Sequence, residues 1–209
     1  MALSVLSLND LLTQSSYSEE TINDLLFSFE TIPSGQAQGA NDVESFLRTK
    51  AIQFEKLDLS RTYLVMSTYQ DTSFIFGYFS ISNRPLVINR KNFKSLSKSL
   101  QKALMGVGHK TDQKAYEIKG YLLGQLGKNF NDVARKAKIA TGSDILTLAY
   151  TKILEAYEVV GGRILYLECE DNDKIKDFYR KNGFRELEDF KSPNNLCLFV
   201  KKIEHITEE

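Results

Sequence analysis

The chain has 209 residues, which suits one sizeable α/β domain or one domain with an extension. Apolar residues make up 42% and charged residues 26%, and Lys+Arg and Asp+Glu both number 27, so net charge argues neither for nor against a polyanionic partner and only local clusters bear on it. Two cysteines outside any Cys-x-x-Cys pair exclude a disulfide framework, and only two histidines, His109 and His205, leave a zinc site or a His-based triad poorly supplied. No metal is expected. The start, "MALSVLSLNDLL", lacks the basic stretch of a secretory signal. No run approaches the roughly 18 apolar residues of a membrane span. A cytoplasmic protein with reduced thiols and no membrane partner is the expectation.

Residues 1–40 read as an N-terminal helical extension. In "SEETINDLLFSFE", Ser18 is a good N-cap, Glu19 and Glu20 suit the positive helix end, and Ile22, Leu25, Leu26 and Phe29 make one apolar face. Pro33, Gly35 and Gly39 then break the pattern. From Asn41 a longer helix is expected on Val43, Phe46, Leu47, Ala51, Phe54 and Leu57. The β-branched and aromatic run "RTYLVMSTYQDTSFIFGYFSIS" predicts a hairpin, with strands near 61–68 and 73–82. Between 84 and 114, Arg84, Arg90, Lys91, Lys94, Lys98, Lys102, Lys110 and Lys114 face only Asp112. Part of this segment, "NFKSLSKSLQKAL", should be helical.

"AYEIKGYLLGQLG" reads as one strand, and "NDVARKAKIATG" as a basic loop. The loop leads into a mostly apolar helix, "SDILTLAYTKILEAYEVV", stopped by Gly161-Gly162. "RILYLECE" is a buried strand, "DKIKDFYRKNGF" an amphipathic helix ended at Gly183, and "CLFVKKI" a last strand. Strand 115–127, helix 143–158 and strand 163–169 form a βαβ unit, and the whole order implies a mixed sheet covered by helices.

Two places carry chemistry. The helix start at Thr141, Gly142 and Ser143 offers unpaired backbone N–H groups, with Arg135, Lys136 and Lys138 nearby. The same residues also read as an ordinary helix cap, and the carboxylate of Asp144 would repel a phosphate. Tyr179 reads either as an aromatic at the core edge or as a side chain with a chemical role. Cys169 reads as packing rather than as a nucleophile, because no histidine lies near it in sequence. Glu168 and Glu170 are either bases or solvated carboxylates.

The succession of "YLLGQLG", the loop at 135–143 and "LYLECEDNDKIKDFYRKNGF" resembles the GNAT superfamily of N-acetyltransferases over roughly residues 41–203. The resemblance implies an α/β (α+β) fold: a central mixed, mostly antiparallel sheet with a splayed parallel strand pair and helices on both faces. It divides the chain into the extension 1–40 and a GNAT acyltransferase domain at 41–209. It also implies acetyl-coenzyme A as donor and direct acetyl transfer to a primary amine of a small-molecule or protein acceptor. By position, Gln125, Leu126 and Gly127 would offer backbone partners to the pantetheine arm. Lys138, Ala140, Thr141, Gly142 and Ser143 would hold the pyrophosphate, Asn172 and Phe178 would flank the pantetheine, Tyr179 would be the general acid and Glu168 the base. The family's loop pattern is Gln/Arg-x-x-Gly-x-Gly/Ala, and of Ala137-Lys138-Ile139-Ala140-Thr141-Gly142 only the final glycine keeps it.

A narrower similarity, through "DVESFLRTKAIQFEKLDLSRTYLVMS" and "IFGYFSIS", is to the toxin–antitoxin acetyltransferases that modify aminoacyl-tRNA. It implies tRNA as a partner of the basic segment 84–114 and admits a homodimer. The alternatives to an amine N-acetyltransferase are therefore this toxin activity and a non-catalytic binding module on the same fold.

Overall fold

The computed structural model describes residues 2–32, 38–105, 114–137, 139–192 and 194–206. In chain order these form β1 (Ser4–Ser7), α1 (Leu8–Gln14), α2 (Glu19–Phe27), α3 (Gln38–Ser45), a π-helical turn (Phe46–Lys50), α4 (Ala51–Lys56), β2 (Arg61–Tyr69) and β3 (Thr72–Ser82). Next come β4 (Leu86–Asn89), α5 (Arg90–Ser95), α6 (Lys98–Met105), β5 (Ala115–Ile118) and β6 (Gly120–Lys128). The chain continues with α7 (Asp132–Ala137), α8 (Gly142–Val160), β7 (Ile164–Cys169), α9 (Asp173–Lys181), β8 (Arg185–Lys191), β9 (Cys197–Lys202) and a short 3₁₀ turn at Ile203–His205. Seven strands hydrogen-bond in the order β1-β2-β3-β6-β7-β9-β8, and β4 and β5 pair separately. The β1–β2, β2–β3, β7–β9 and β8–β9 pairings are antiparallel, and β6–β7 is parallel. This is the mixed, mostly antiparallel sheet including a parallel pair that the resemblance led us to expect.

The described residues fall into two compact units, residues 1–82 with 124–151, and residues 83–123 with 152–209. In the first, Ser7 and Ser18 accept bonds from the N–H groups of Asp10 and Thr21, which fixes the starts of α1 and α2. Ile22 and Leu26 then enter one core with Phe29, Leu8, Leu11, Phe46, Leu47, Leu64, Ile75 and Tyr78. Ser4–Ser7 lies inside the segment expected to be helical but is a strand, because it pairs with Tyr63–Met66 of β2. The π turn, closed by the Ala51 N–H to Phe46 O, lets the successive residues Phe46 and Leu47 both reach the core. The β2–β3 hairpin turns on Gln70 and Asp71, both at positive φ, the two-residue turn that suits the right-handed twist of the strands. Gly77 is required in β3 because a Cβ there would sit 2.4 Å from Ile145 and 2.6 Å from the Gly127 carbonyl.

In the second unit, the insertion carrying the basic residues supplies Leu86, Ile88, Phe93, Leu96, Leu100 and Leu104 to a core with Ile164, Leu198 and Val200. Its cations are left outside: Arg84, Lys91, Lys94, Lys98, Lys102 and Lys114 are all exposed, while Lys110 lies outside the described residues. The expected single strand 115–127 divides at Lys119. β5 pairs with β4 (Leu86↔Ile118), and β6 begins the pairing with β7 at Gly120↔Ile164. That parallel ladder ends at Leu122↔Tyr166, although β6 runs on to Lys128 and β7 to Cys169. α8 stops as expected, with Gly161 and Gly162 at positive φ and the Gly161 carbonyl taking the Tyr121 hydroxyl at 2.6 Å.

Candidate active site

The residues singled out by the sequence divide between the two units. Gln125, Leu126, Gly127, Ala140, Thr141, Gly142 and Ser143 belong to the first, and Glu168, Asn172, Phe178 and Tyr179 to the second. Lys138 lies outside the described residues.

In the first unit, β6 reaches Gly127 beneath an aromatic cover. A Cβ there would meet Val43 at 2.6 Å, Phe29 at 2.9 Å and Tyr78 at 3.1 Å. Two residues further on, Asn129 is 1% exposed and its side chain makes three hydrogen bonds. Its amide donates to Ile75 O at 2.6 Å, and its carbonyl accepts from the N–H groups of Glu30 and Asn131, each at 3.0 Å. Phe130 N–H donates to Glu30 O, so the end of β6 is tied to the chain leaving α2. What read as a loop holds a short helix, α7, capped by the Asn131 side chain on Ala134 N–H. The Arg135 Nε of that helix donates to Phe130 O, and Lys136 is exposed.

At the start of α8, Asp144 behaves as a cap. One of its carboxylate oxygens accepts from the Thr141 N–H at 2.6 Å and from the Thr141 hydroxyl at 2.7 Å. These bonds, the side-chain one first, hold its carboxyl below the usual aspartate range, and Lys128 adds to the effect. A carboxylate therefore already engages one N–H of the loop that the resemblance assigns to phosphate. Because the folded pKa is depressed, the cap stabilises above the ordinary aspartate range and its contribution is lost as pH falls through the lowered pKa. Asp144→Ala is expected to cost about 0.5–1 kcal/mol near neutrality, at the low end because the site is exposed. The gap between variant and wild type in urea unfolding should close in acid.

In the second unit, Asn172 is the N-cap of α9 and accepts from Lys174 N–H at 3.0 Å. The far end is a Schellman turn: Phe184 N–H donates to Tyr179 O, Gly183 N–H donates to Arg180 O, and Gly183 sits at φ 80°. Lys201, only 3% exposed, comes from β9 to donate to Asn182 O at 3.2 Å, a cation placed at the negative helix end. This turn fixes the Tyr179 ring, which lies edge-on to Phe178 (5.1 Å) and Phe184 (5.6 Å) and tilted against Phe199 (5.9 Å). Packing therefore accounts for the ring. The hydroxyl makes no hydrogen bond to any described residue, and burial, with a smaller effect from Cys169, raises its pKa.

Glu168 projects from β7 with an exposed side chain. Burial around its carboxyl raises the pKa, and Arg84 partly offsets this. Cys169 is pushed up to about 12, first by burial and then by Cys197 and Glu186, so it stays a thiol, as its strand position suggested. Among the described residues no group of acidic, His or Cys side chains could hold a metal ion, and no helix is long and apolar enough to cross a membrane.

The sheet order with a parallel pair at β6–β7, the long helix α8 before β7 and the capped helix α9 after it match the GNAT fold. Among solved structures with that fold are those of the toxins AtaT and KacT. AtaTR bound with acetyl-CoA matches with a TM-score of 0.63 and 21% identity over 99% of this chain and 96% of that one. AtaT complexed with acetyl-methionyl-tRNAfMet gives 0.63 and 20% over 99% and 98%. A tyrosine-to-phenylalanine mutant of KacT gives 0.63 and 19% over 100% and 99%. No protein-family model and no curated relative matches the sequence.

Proposed function

We propose that this chain is an acetyl-CoA-dependent N-acetyltransferase that moves acetyl directly onto a primary amine. Within the GNAT fold, the observation that carries the reading is Tyr179, whose half-buried ring is fixed by packing while its hydroxyl has no bond to any described residue. The likeness in fold to AtaTR bound with acetyl-CoA supports the choice of donor.

In this reading a neutral amine attacks the thioester carbonyl, the new C–N bond forms and the C–S bond breaks. Backbone N–H groups of Gln125, Leu126 and Gly127 stabilise the carbonyl oxygen as charge builds on it. Glu168, an exposed side chain whose pKa is raised by the apolar surface around its carboxyl, takes the amine proton. Tyr179 donates a hydrogen bond to the departing sulfur while keeping its proton, and the proton that Glu168 took from the amine returns through solvent to the thiolate. The raised phenol pKa keeps this donor protonated across the neutral range and makes it a weaker acid than a free phenol at ~10, so stabilisation by the hydrogen bond dominates. No covalent enzyme intermediate is required, consistent with a Cys169 that stays a thiol. Thermal unfolding tests donor binding. Acetyl-CoA at about a hundredfold excess over Kd should stabilise the fold by about 2.7 kcal/mol. An unchanged melting temperature would count against the reading.

A second reading, acetylation of aminoacyl-tRNA, is favoured by the exposed cations of α5 and α6, Lys91, Lys94, Lys98 and Lys102. AtaT complexed with acetyl-methionyl-tRNAfMet supports it by likeness of fold. If RNA phosphates meet this face, replacing Lys94, Lys98 and Lys102 by Glu should weaken tRNA binding and flatten its salt dependence by about three counterions. A binding curve identical to wild type would remove tRNA from this face.

A further inference from the structure

Cys169 closes β7 and Cys197 opens β9, and the two stand directly opposite each other as the last register pair of that antiparallel ladder. Facing residues of such a ladder project to the same side of the sheet, with Cα atoms about 4.5–5.5 Å apart. That separation falls inside the roughly 4.4–6.8 Å that a disulfide spans. Two residues along, Leu167 pairs with Phe199 on the same side, and the Phe199 ring centroid lies 5.9 Å from that of Tyr179. The thiols therefore sit on the face that α9 covers. They are the chain's only cysteines, both are free, and they are 8% and 3% exposed. Cys197 also lines a cavity of about 280 Å³ with Asp171, Lys176 and Glu186, which is ample for a peroxide. The transfer chemistry proposed above uses neither thiol.

We propose that Cys169 and Cys197 are an oxidisable dithiol, a modification site at which a peroxide closes a disulfide between β7 and β9. Cys197, the thiol on the cavity, reacts first. Its sulfur attacks a peroxide oxygen, the S–O bond forms and the O–O bond breaks, and the thiol proton leaves with the departing hydroxide as water. Cys169 then attacks the sulfenic sulfur. The S–S bond forms, the S–O bond breaks, and the Cys169 proton leaves with the hydroxide as a second water. Two thiols are oxidised and one peroxide is reduced to two waters. Burial raises both thiol pKa values, so little thiolate exists near neutrality and the pair responds to sustained peroxide rather than to traces. The bridge closes residues 170–196, with α9 and β8, into a loop, which restricts the unfolded chain more than the folded sheet. The bond needs no acetyl donor and stands apart from the transfer reaction.

The test treats the folded wild-type protein with hydrogen peroxide, blocks remaining thiols with a maleimide in urea, and maps cross-links by mass spectrometry. Both thiols should be lost together, and the intact mass should fall by two hydrogens. A peptide pair joined through Cys169 and Cys197 should appear and should vanish with dithiothreitol. In Cys169→Ser, Cys197 should stop at the sulfenic acid and be trapped by dimedone, whereas in Cys197→Ser, Cys169 should stay reduced. The oxidised wild type should unfold at a higher urea concentration than the reduced protein, and dithiothreitol should erase the difference. Thiols that stay free in the folded protein, under peroxide that oxidises them in urea, would overturn the proposal. So would sulfinic acid or disulfide-linked dimers in place of the internal bridge. A lower urea midpoint for the oxidised protein would also overturn it, because the bond would then oppose the sheet. Dimedone on Cys169 in Cys197→Ser, with none on Cys197 in Cys169→Ser, would overturn Cys197 as the attacking thiol. Should either serine variant fail to fold, the wild-type thiol count, cross-link map and urea midpoints decide alone.

Discussion

Tyr179→Phe should slow acetyl transfer by about a hundredfold to ten-thousandfold, the usual contribution of a positioned proton donor. Acetyl-CoA affinity and melting temperature should stay close to wild type. Removing most tyrosine hydroxyls from an interior breaks a bond. Here the ring contacts with Phe178, Phe184 and Phe199 survive the change, and the hydroxyl has no described partner to strand. A large loss of rate without loss of stability separates a chemical role from a packing role. Stopped-flow turnover under conditions where chemistry limits the rate, with calorimetric unfolding alongside, measures both. Equal rates would remove Tyr179 from the mechanism. The pH profile gives a second check. Because burial raises the phenol pKa, any alkaline loss of activity that sets in below the ordinary tyrosine range of ~10 must come from another group.

Asn129→Ala should produce the largest loss of stability of any single change considered, about 3–5 kcal/mol. The side chain is 1% exposed and makes three hydrogen bonds, to Ile75 O and from the N–H groups of Glu30 and Asn131. Alanine removes all three and leaves the buried Ile75 carbonyl and the part-buried N–H groups of Glu30 and Asn131 without their partner, each costing about 1–3 kcal/mol less whatever water recovers. Three segments far apart in sequence lose their common tie: the chain leaving α2, strand β3 and the end of β6. Urea unfolding should show a much lower midpoint, and acetyl-CoA binding should suffer even where the variant is folded. A midpoint within 1 kcal/mol of wild type (roughly the worth of one ordinary hydrogen bond) would show that this junction is not what anchors the strand end.

Much of the architecture was legible because its signals are local. The β-branched and aromatic run in Arg61–Ser82 gave the hairpin, the mostly apolar Ser143–Val160 and the amphipathic Asp173–Lys181 gave α8 and α9, and Gly161 and Gly183 marked their ends. The β1 strand escaped because four residues that run straight into a helix carry no alternation of their own, and only pairing with β2 makes them a strand. The break at Lys119 escaped for a similar reason. The apolar pattern continues across it, and the choice of β4 or β7 as partner is made by the fold. Within the candidate site, Tyr179 and the helix start at Thr141–Ser143 stood out by motif and spacing. Asp144 was already discordant in the sequence, and its bonds to Thr141 explain the discord as capping. Asn129 gave no warning. A single Asn after a strand is commonplace, and its importance lies in a partner 54 residues away.

Isothermal titration of acetyl-CoA into the wild-type protein tests the central claim most directly. An acetyl-CoA-dependent transferase should give a saturable, single-site isotherm with a Kd between about 1 μM and 1 mM, the range in which enzymes bind their substrates. Absence of saturable heat at millimolar acetyl-CoA, with the protein shown to be folded by circular dichroism, would contradict it.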